Sequence, residues 1–552
     1  MRFAFRHQRC SSRTPAEEHW QLLSKKHRSS FGEPGRVSAR SRESRADFCT
    51  PIANATWLAI CYHVRNMSEN YLHRRLLPAH GYILLAGLGY WLSVGLTRAD
   101  GPRDDAIPVR VDERVELLSI VFRLAGAREY SQTAKIVPYA KDVDEHFGRF
   151  KDHEAIKLAQ KLRGERGIGY DAVASFALHI QGNPRLDPKF PFDPKPSELD
   201  RRWSPKSASG FLAGLQRFAD DSHAFDFFER HKALYAKSTA RLAQELAKRP
   251  YRRWLDSFFG AKPDAKFCAI VGLLNGGSNY GCKVRYPDGH EEILPVLGVD
   301  RFDAAGLPVF DKGTSGLAAH EFCHSYCNPL VDRFADQLLA PAEKVYPHRA
   351  RLLRDQAYTS ARTMLYESFV RACTHRFLCA HGTPAEAAAQ LREEVGRGFF
   401  WTPQLSDLLL SYERSREKYS TIETFMPAIV KFFEDLGNSI DERLSRFPYV
   451  VRLTPQNGAT DVDPALTELR IEFDRPMKPA SYSIVGNKVR IPTMPIAGHF
   501  SDDAKTFVQP IKLQPGRSYT FSLNNIYYSG FASADGLPLD PVAVKFTTAS
   551  SR

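Results

Sequence analysis

Residues 316–329 read Gly316-Leu317-Ala318-Ala319-His320-Glu321-Phe322-Cys323-His324-Ser325-Tyr326-Cys327-Asn328-Pro329. Two histidines four apart stand one above the other on a helix face. At that spacing both imidazoles can reach one tetrahedral zinc ion. Glu321, one step round from His320, lies beside such an ion rather than on it. There it can accept a proton from a metal-polarised water and pass it to a leaving group. Small residues before the histidines let the helix pack closely, and Asn328-Pro329 is expected to end it.

A catalytic zinc usually takes three protein ligands and keeps a fourth position for water. A continuation H-x-x-G-x-x-H would supply a third histidine, but Cys327 stands where the glycine would be and Leu330 where the histidine would be. The downstream carboxylates include Asp332, Asp336, Glu343, Asp355 and Glu367, most of them in polar or loop contexts. Glu367 differs. It sits in Met364-Leu365-Tyr366-Glu367-Ser368-Phe369-Val370-Arg371-Ala372, an otherwise apolar helical segment. A carboxylate there is costly unless paired or metal-bound. Arg371, four residues on, would pair with it or orient it from behind. The alternative is a structural Glu367–Arg371 pair on a solvated helix face.

Outward from this segment, residues 112 to about 400 are mainly helical in pattern. Residues 112–126 and 223–248 carry apolar side chains three and four apart. Residues 183–206 hold six prolines and read as an extended surface loop. Residues 267–274 have the length and composition of a buried strand. Residues 281–299 form a hairpin around Pro287-Asp288-Gly289, whose second arm carries Pro295 and is therefore expected at a sheet edge. Helices resume at 315–326, 355–379 and 384–396, and a last one at 419–444 is expected to kink or break at Pro427. After Phe447-Pro448 short alternating segments such as Leu469-Arg470-Ile471-Glu472-Phe473 signal a small β-sandwich. The expected fold class is thus α+β: a mainly helical domain with a small sheet over residues 107–446, then an all-β sandwich over 448–549.

The same segments carry a family resemblance. Glu116-Leu117-Leu118-Ser119-Ile120-Val121-Phe122-Arg123-Leu124-Ala125-Gly126, the His320–Pro329 stretch and Tyr366-Glu367-Ser368-Phe369-Val370-Arg371-Ala372 resemble DUF4932, a bacterial family with a gluzincin-like zinc-peptidase look. The family pattern is similar to H-E-F-x-H-S-x-x-N-P followed by E-x-x-x-R-A. This resemblance implies one zinc ion per chain on His320, His324 and Glu367, with Glu321 as base; Arg371 and Asn328 are expected to support the ligands from behind. The family name supplies no activity of its own, so the peptidase expectation rests on the site chemistry. The C-terminal region resembles an SbsA-type bacterial Ig-like domain (Big_5). Pro455-Gln456-Asn457-Gly458-Ala459-Thr460-Asp461-Val462, Phe473-Asp474-Arg475-Pro476-Met477, Leu513-Gln514-Pro515-Gly516-Arg517-Ser518-Tyr519 and Phe546-Thr547-Thr548 carry the likeness.

The chain has 552 residues and a formal net charge of +13. Residues 1–99 hold 15 Lys/Arg and 6 Asp/Glu, a net +9, which leaves +4 for the remaining 453 residues. With no concentrated basic patch beyond residue 99, nucleic acid is not an expected partner. Residues 1–66, rich in Arg, Ser and His, read as a disordered basic extension. Residues 67–99 combine Arg74 and Arg75, an apolar run over 82–96 and a small residue after it, the plan of a secretory signal peptide beginning at Met67. The run is short for a membrane span, so no stable span is expected; a basic tail before a single anchor is the alternative. The expected location is outside the cytoplasm, periplasmic or extracellular. Beyond residue 99 stand Cys268, Cys282, Cys323, Cys327, Cys373 and Cys379, an even number that permits three disulfides; Cys323 and Cys327 share a helix face and could not easily bridge each other.

The expected function is an exported zinc-dependent metallopeptidase acting on a peptide or protein. The alternatives are a zinc hydrolase of non-peptide amides or esters, and a non-catalytic exported surface protein whose Ig-like module does the binding. A second donor for the developing oxyanion is expected among Tyr280, Tyr412 and Tyr419. His375 lies two helical turns beyond Glu367, too far to serve. The second hairpin arm, residues 292–299, is a candidate edge for pairing with an extended peptide. The glycine-rich run 275–281 lacks a phosphate-loop Lys-Ser/Thr and reads as a flexible loop near the site.

Overall fold

In the computed structural model the described residues are 105–133, 137–183 and 185–550. The expected basic extension (1–66) and the expected signal peptide (67–99) lie outside them. The chain enters on β1 (Val109–Val111) and turns at Asp112, whose carboxylate caps α1 (Glu113–Leu124). Every α1 residue from Val115 to Arg123 is buried, so this is a central helix with no solvent face. Around it fold α2 (Pro138–Phe147), α3 (Glu154–Arg166), α4 (Asp171–Leu178), α5 (Pro205–Asp221), α6 (Ala224–Leu246) and α7 (Tyr251–Phe259). The proline-rich stretch before α5 has neither helix nor strand, as its composition predicts.

The expected single strand over 267–274 is two short strands, β2 (Lys266–Phe267) and β3 (Ala269–Gly272), separated at Cys268. The hairpin is β4 (Tyr280–Arg285) and β5 (Glu291–Gly298). β5 is an inner strand, contrary to the expectation drawn from Pro295. On one side it pairs antiparallel with β4; on the other it pairs parallel with β2 and then with β3, which continues to β1. Pro295 is tolerated because it falls between Ile293, the last partner of β2, and Val296, the first register position paired with β3. Its missing N–H coincides with the interruption at Cys268. The outer strand is β4, and α4 packs against it. Residues 292–299 therefore offer no free edge to a peptide.

Seven helices follow: α8 (Lys312–Arg333), α9 (Ala335–Arg354), α10 (Ala361–His381), α11 (Pro384–Gly396), α12 (Thr402–Arg414), α13 (Ile422–Asn438) and α14 (Ile440–Leu444). Two proline expectations are corrected here. α8 runs through Asn328-Pro329 to Arg333, and α13 runs through Pro427, the break falling instead at Ser439. α9, which also contains Pro341 and Pro347, fills a stretch with no helical expectation at all. An interior proline costs about 3 kcal/mol. Burial on both sides of each one offsets it: Tyr326 and Leu330 around Pro329, Met426 and Ile429 around Pro427.

The C-terminal sandwich has a four-stranded sheet, β6 (Val450–Thr454), β7 (Glu468–Phe473), β10 (Thr506–Pro510) and β9 (His499–Phe500) in that order. It faces a three-stranded one of β12 (Val542–Thr547), β11 (Ser518–Leu523) and β8 (Ile484–Val485). Leu469, Ile471 and Phe473 turn inward on β7, and Arg470 points out, matching the alternation read from sequence. The sandwich is tied to the helices through Arg349 of α9. Its guanidinium is 2% exposed, bonds both oxygens of Asp540 at 2.9 and 3.0 Å and lies over the Phe400 and Phe447 rings.

α1 carries one charge with no cation beside it. Glu116 is fully buried; its carboxylate accepts the Leu273 N–H at 2.9 Å and the Tyr139 hydroxyl at 2.9 Å. Burial pushes it up to about 7. Its folded value thus exceeds the ordinary one near 4.5, and the native state holds the extra proton. Stability from this group is full below pH 4.5 and declines as pH rises toward 7. Glu116→Gln keeps an acceptor for Leu273 and has no charge to desolvate. Its melting temperature should match wild type near pH 5 and exceed it near pH 8, a widening gap measurable by thermal denaturation across pH.

Candidate metal centre

Two capped helices bring the centre together. α8 starts at Asp311, which accepts the Gly313 N–H, with a reciprocal box to Thr314; α10 starts at Ser360, which accepts the Thr363 N–H. The two helices pack along their length. One ligand atom each from His320, His324 and Glu367 falls within 4.8 Å of the others. His320 Nε2 is 3.6 Å and His324 Nε2 3.7 Å from the two Glu367 oxygens. The three side chains singled out in the sequence, His320 and His324 on one helix and Glu367 on another, therefore converge on one point, and Glu321, 5% exposed, is near enough to couple electrostatically with His320 and Glu367.

The surrounding groups set the protonation this cluster needs. His324 Nδ1 stands 3.2 Å from Asn328 Oδ1, which favours the tautomer with hydrogen on Nδ1 and the Nε2 lone pair directed toward Glu367. Burial pushes the His324 pKa down to about 4, against the pull of Glu367, so its ring is neutral. Burial alone would raise Glu367, but the Arg371 guanidinium beside it holds it well below the usual carboxylate range. Arg371 Nη2 donates to Glu367 Oε2 at 3.0 Å. Burial likewise moves Glu321 up to about 7.

Three supporting residues escaped sequence reasoning. Arg371 also donates to Glu394 of α11 and, at 3.0 Å, to the Tyr358 hydroxyl, over the Phe399 ring. Glu394 follows Glu393 in a charged helix and reads as solvated, yet it is 4% exposed. Nothing in the local pattern distinguishes the two. Gly281 of β4 is the third. A Cβ there would lie 2.6 Å from His324 Cβ and 2.7 Å from the Glu321 carbonyl oxygen, so only glycine lets β4 rest on α8. Gly281→Val should force strand and helix apart, lowering stability by about 1–3 kcal/mol. Thermal melts with metal titration check this; the metal-binding loss should exceed that of a β4 variant facing away from α8, such as Val284→Ala.

The three tyrosines expected as oxyanion donors engage other groups. Tyr412 donates its hydroxyl to the Phe258 carbonyl at 2.9 Å and is wholly buried. Tyr419 packs edge-on to Phe425. Tyr280 precedes Gly281 in β4 and so projects from the opposite strand face, where burial pushes its hydroxyl pKa up. His375 is bonded to Ser406 Oγ at 2.6 Å, away from the cluster.

Two family models match this chain. Residues 445–548 match the bacterial Ig-like domain (Big_5), and domains of this kind are typical of extracellular proteins. Among the described residues no helix is long and apolar enough to cross a membrane. The chain is similar to the S-layer protein SbsC in two solved structures, the crystal structure of rSbsC(31-844) and a structure of domains 1-6. Each match has 12% identity, covers 72% of this chain and 46% of the other, and has a TM-score of 0.15. The chain thus spans less than half the length of these proteins. No curated protein matches it. Residues 107–432, more than half of the chain, match the domain of unknown function DUF4932, and the chain belongs to that family.

Proposed function

We propose that this protein is a zinc-dependent hydrolase of the gluzincin type, acting on peptide bonds outside the cytoplasm. The convergence of His320, His324 and Glu367 within 4.8 Å, with Glu321 at its side, is the observation that carries the reading. The donor set fits zinc: two imidazoles, that of His324 neutral and oriented by Asn328, and one carboxylate kept ionised by Arg371. Bound there, zinc would act as a Lewis acid on a carbonyl oxygen and make a neighbouring water more acidic. Everything else falls to the chain. Glu321, with a pKa near 7, takes a proton from water and returns it to the leaving amine. Asn328 fixes the His324 ring, and Arg371 keeps Glu367 ionised.

The Ig-like module and the export-type segment at 67–99 support an extracytoplasmic setting. The test is direct. The purified full chain should hold one zinc per molecule by emission spectrometry and cleave members of a mixed peptide library, with cleavage lost on chelation and restored by zinc. Absence of bound zinc after metal loading would defeat the site assignment. Stoichiometric zinc without chelator-sensitive cleavage would defeat the peptidase assignment.

A further inference from the structure

The helices that carry the metal ligands also carry a close pair of thiols. Cys327 on α8 and Cys373 on α10 are both wholly buried, and their sulfurs stand 3.8 Å apart. Cys327 comes three residues after His324 and Cys373 six after Glu367. The pair therefore sits about one to two turns beyond the cluster, at the same helix–helix contact. Cys323, one turn earlier on α8, is wholly buried as well and lies near Cys373. The six cysteines among the described residues are free thiols in this structure.

We propose that Cys327 and Cys373 form a disulfide when the chain folds in an oxidising compartment, stapling the histidine-bearing helix to the glutamate-bearing one. Two helices already packed together need only a small approach to bring the sulfurs from 3.8 Å to a bond of about 2.0 Å. The chemistry balances by exchange with a small-molecule disulfide such as oxidised glutathione. One cysteine thiolate attacks a sulfur of that disulfide and expels one thiol. The second then attacks the mixed disulfide and expels the other. The protein gives up two protons and two electrons, and the reagent becomes two thiols. Burial pushes Cys327 up to about 11 and Cys373 well above the ordinary thiol value, so thiolate is scarce in the folded core. Exchange then belongs to the folding stage, and the finished bond is shielded from reductants. The bond does not depend on zinc: it would hold the two helices in register whether or not the ion is bound.

The test uses the full chain produced in a host with an oxidising cytoplasm, alkylated at lysis and digested with trypsin without reduction. Trypsin releases residues 313–333, which contain both Cys323 and Cys327, and residues 372–376, which contain Cys373. The expected product is these two peptides joined, lighter by two hydrogens than their sum and separated by reductant. The joined species should vanish in Cys327→Ala and persist in Cys323→Ala. Recovery of both peptides only in alkylated, unjoined form would overturn the proposal. So would a joined species that survives Cys327→Ala and is lost in Cys323→Ala. The unsubstituted chain decides between bond and no bond even if a variant fails to fold.

Discussion

Glu321→Gln should lower kcat on any cleavable peptide by about a thousandfold, the scale of a lost general base, and leave zinc content unchanged. The geometry separates these two effects. Glu321 is not one of the three side chains whose ligand atoms converge, so removing its charge takes nothing from the donor set. It is 5% exposed, and its amide isostere fills the same space. The amide cannot accept the proton that, in the proposed reaction, the carboxylate takes from water. Because burial already pushes Glu321 up to about 7, deleting the charge should not destabilise the fold, and a melt at pH 8 should show the variant at least as stable as wild type. Activity, metal analysis and the melt are read on one preparation. A variant that keeps wild-type kcat would remove Glu321 from the proposed chemistry, and one that loses zinc would make it a ligand or a structural residue.

How much of this was legible in the chain differs from residue to residue. His320, Glu321 and His324 could be read because helical geometry converts a spacing of four into one shared face. Glu367 could be read because an ionisable group in an apolar helix demands a partner. Glu394 and Tyr358 could not, since their role exists only where α11 and the loop before α10 meet Arg371. Gly281 stood in view within a glycine-rich run, but its part is steric, and the surface it accommodates comes from a helix 40 residues away. The prolines misled in one direction. Local rules assign Pro295 to an edge and let Pro329 and Pro427 end or break helices. In the fold, a strand interruption absorbs the first, and burial of flanking apolar residues offsets the other two. Propensity is a local quantity, whereas the burial that overrides it is settled by distant parts of the chain.

The second large effect is expected at Arg371. This guanidinium is 2% exposed and is shared among three acceptors: Glu367 and Tyr358 at 3.0 Å and Glu394 on α11. Arg371→Ala leaves two carboxylates, Glu367 and Glu394, 6% and 4% exposed, without their cation. Breaking a buried pair from one side costs about 3–5 kcal/mol, and here both carboxylates are affected. Metal affinity should fall as well, by about 10- to 100-fold, as when an outer partner of a ligand is lost. Lysine should rescue poorly, because a single ammonium cannot reproduce a fork that reaches three acceptors. The sign of the pH dependence follows from Glu367, whose folded pKa lies below its ordinary value near 4.5. Stability from that ionised carboxylate is present above pH 4.5 and is lost as pH falls toward the folded value. The penalty of Arg371→Ala should therefore be largest at neutral pH and shrink in acid, where Glu367, deprived of its cation, takes up a proton. Glu394→Gln alone should destabilise less, and added to Arg371→Ala it should recover part of the loss, since one stranded charge is gone. Denaturant melts at pH 7 and pH 4 with zinc titration measure all three quantities. Wild-type zinc affinity in Arg371→Ala would mean that Glu367 needs no support to bind the ion, and zinc bound equally well by Glu367→Ala would take Glu367 out of the ligand set.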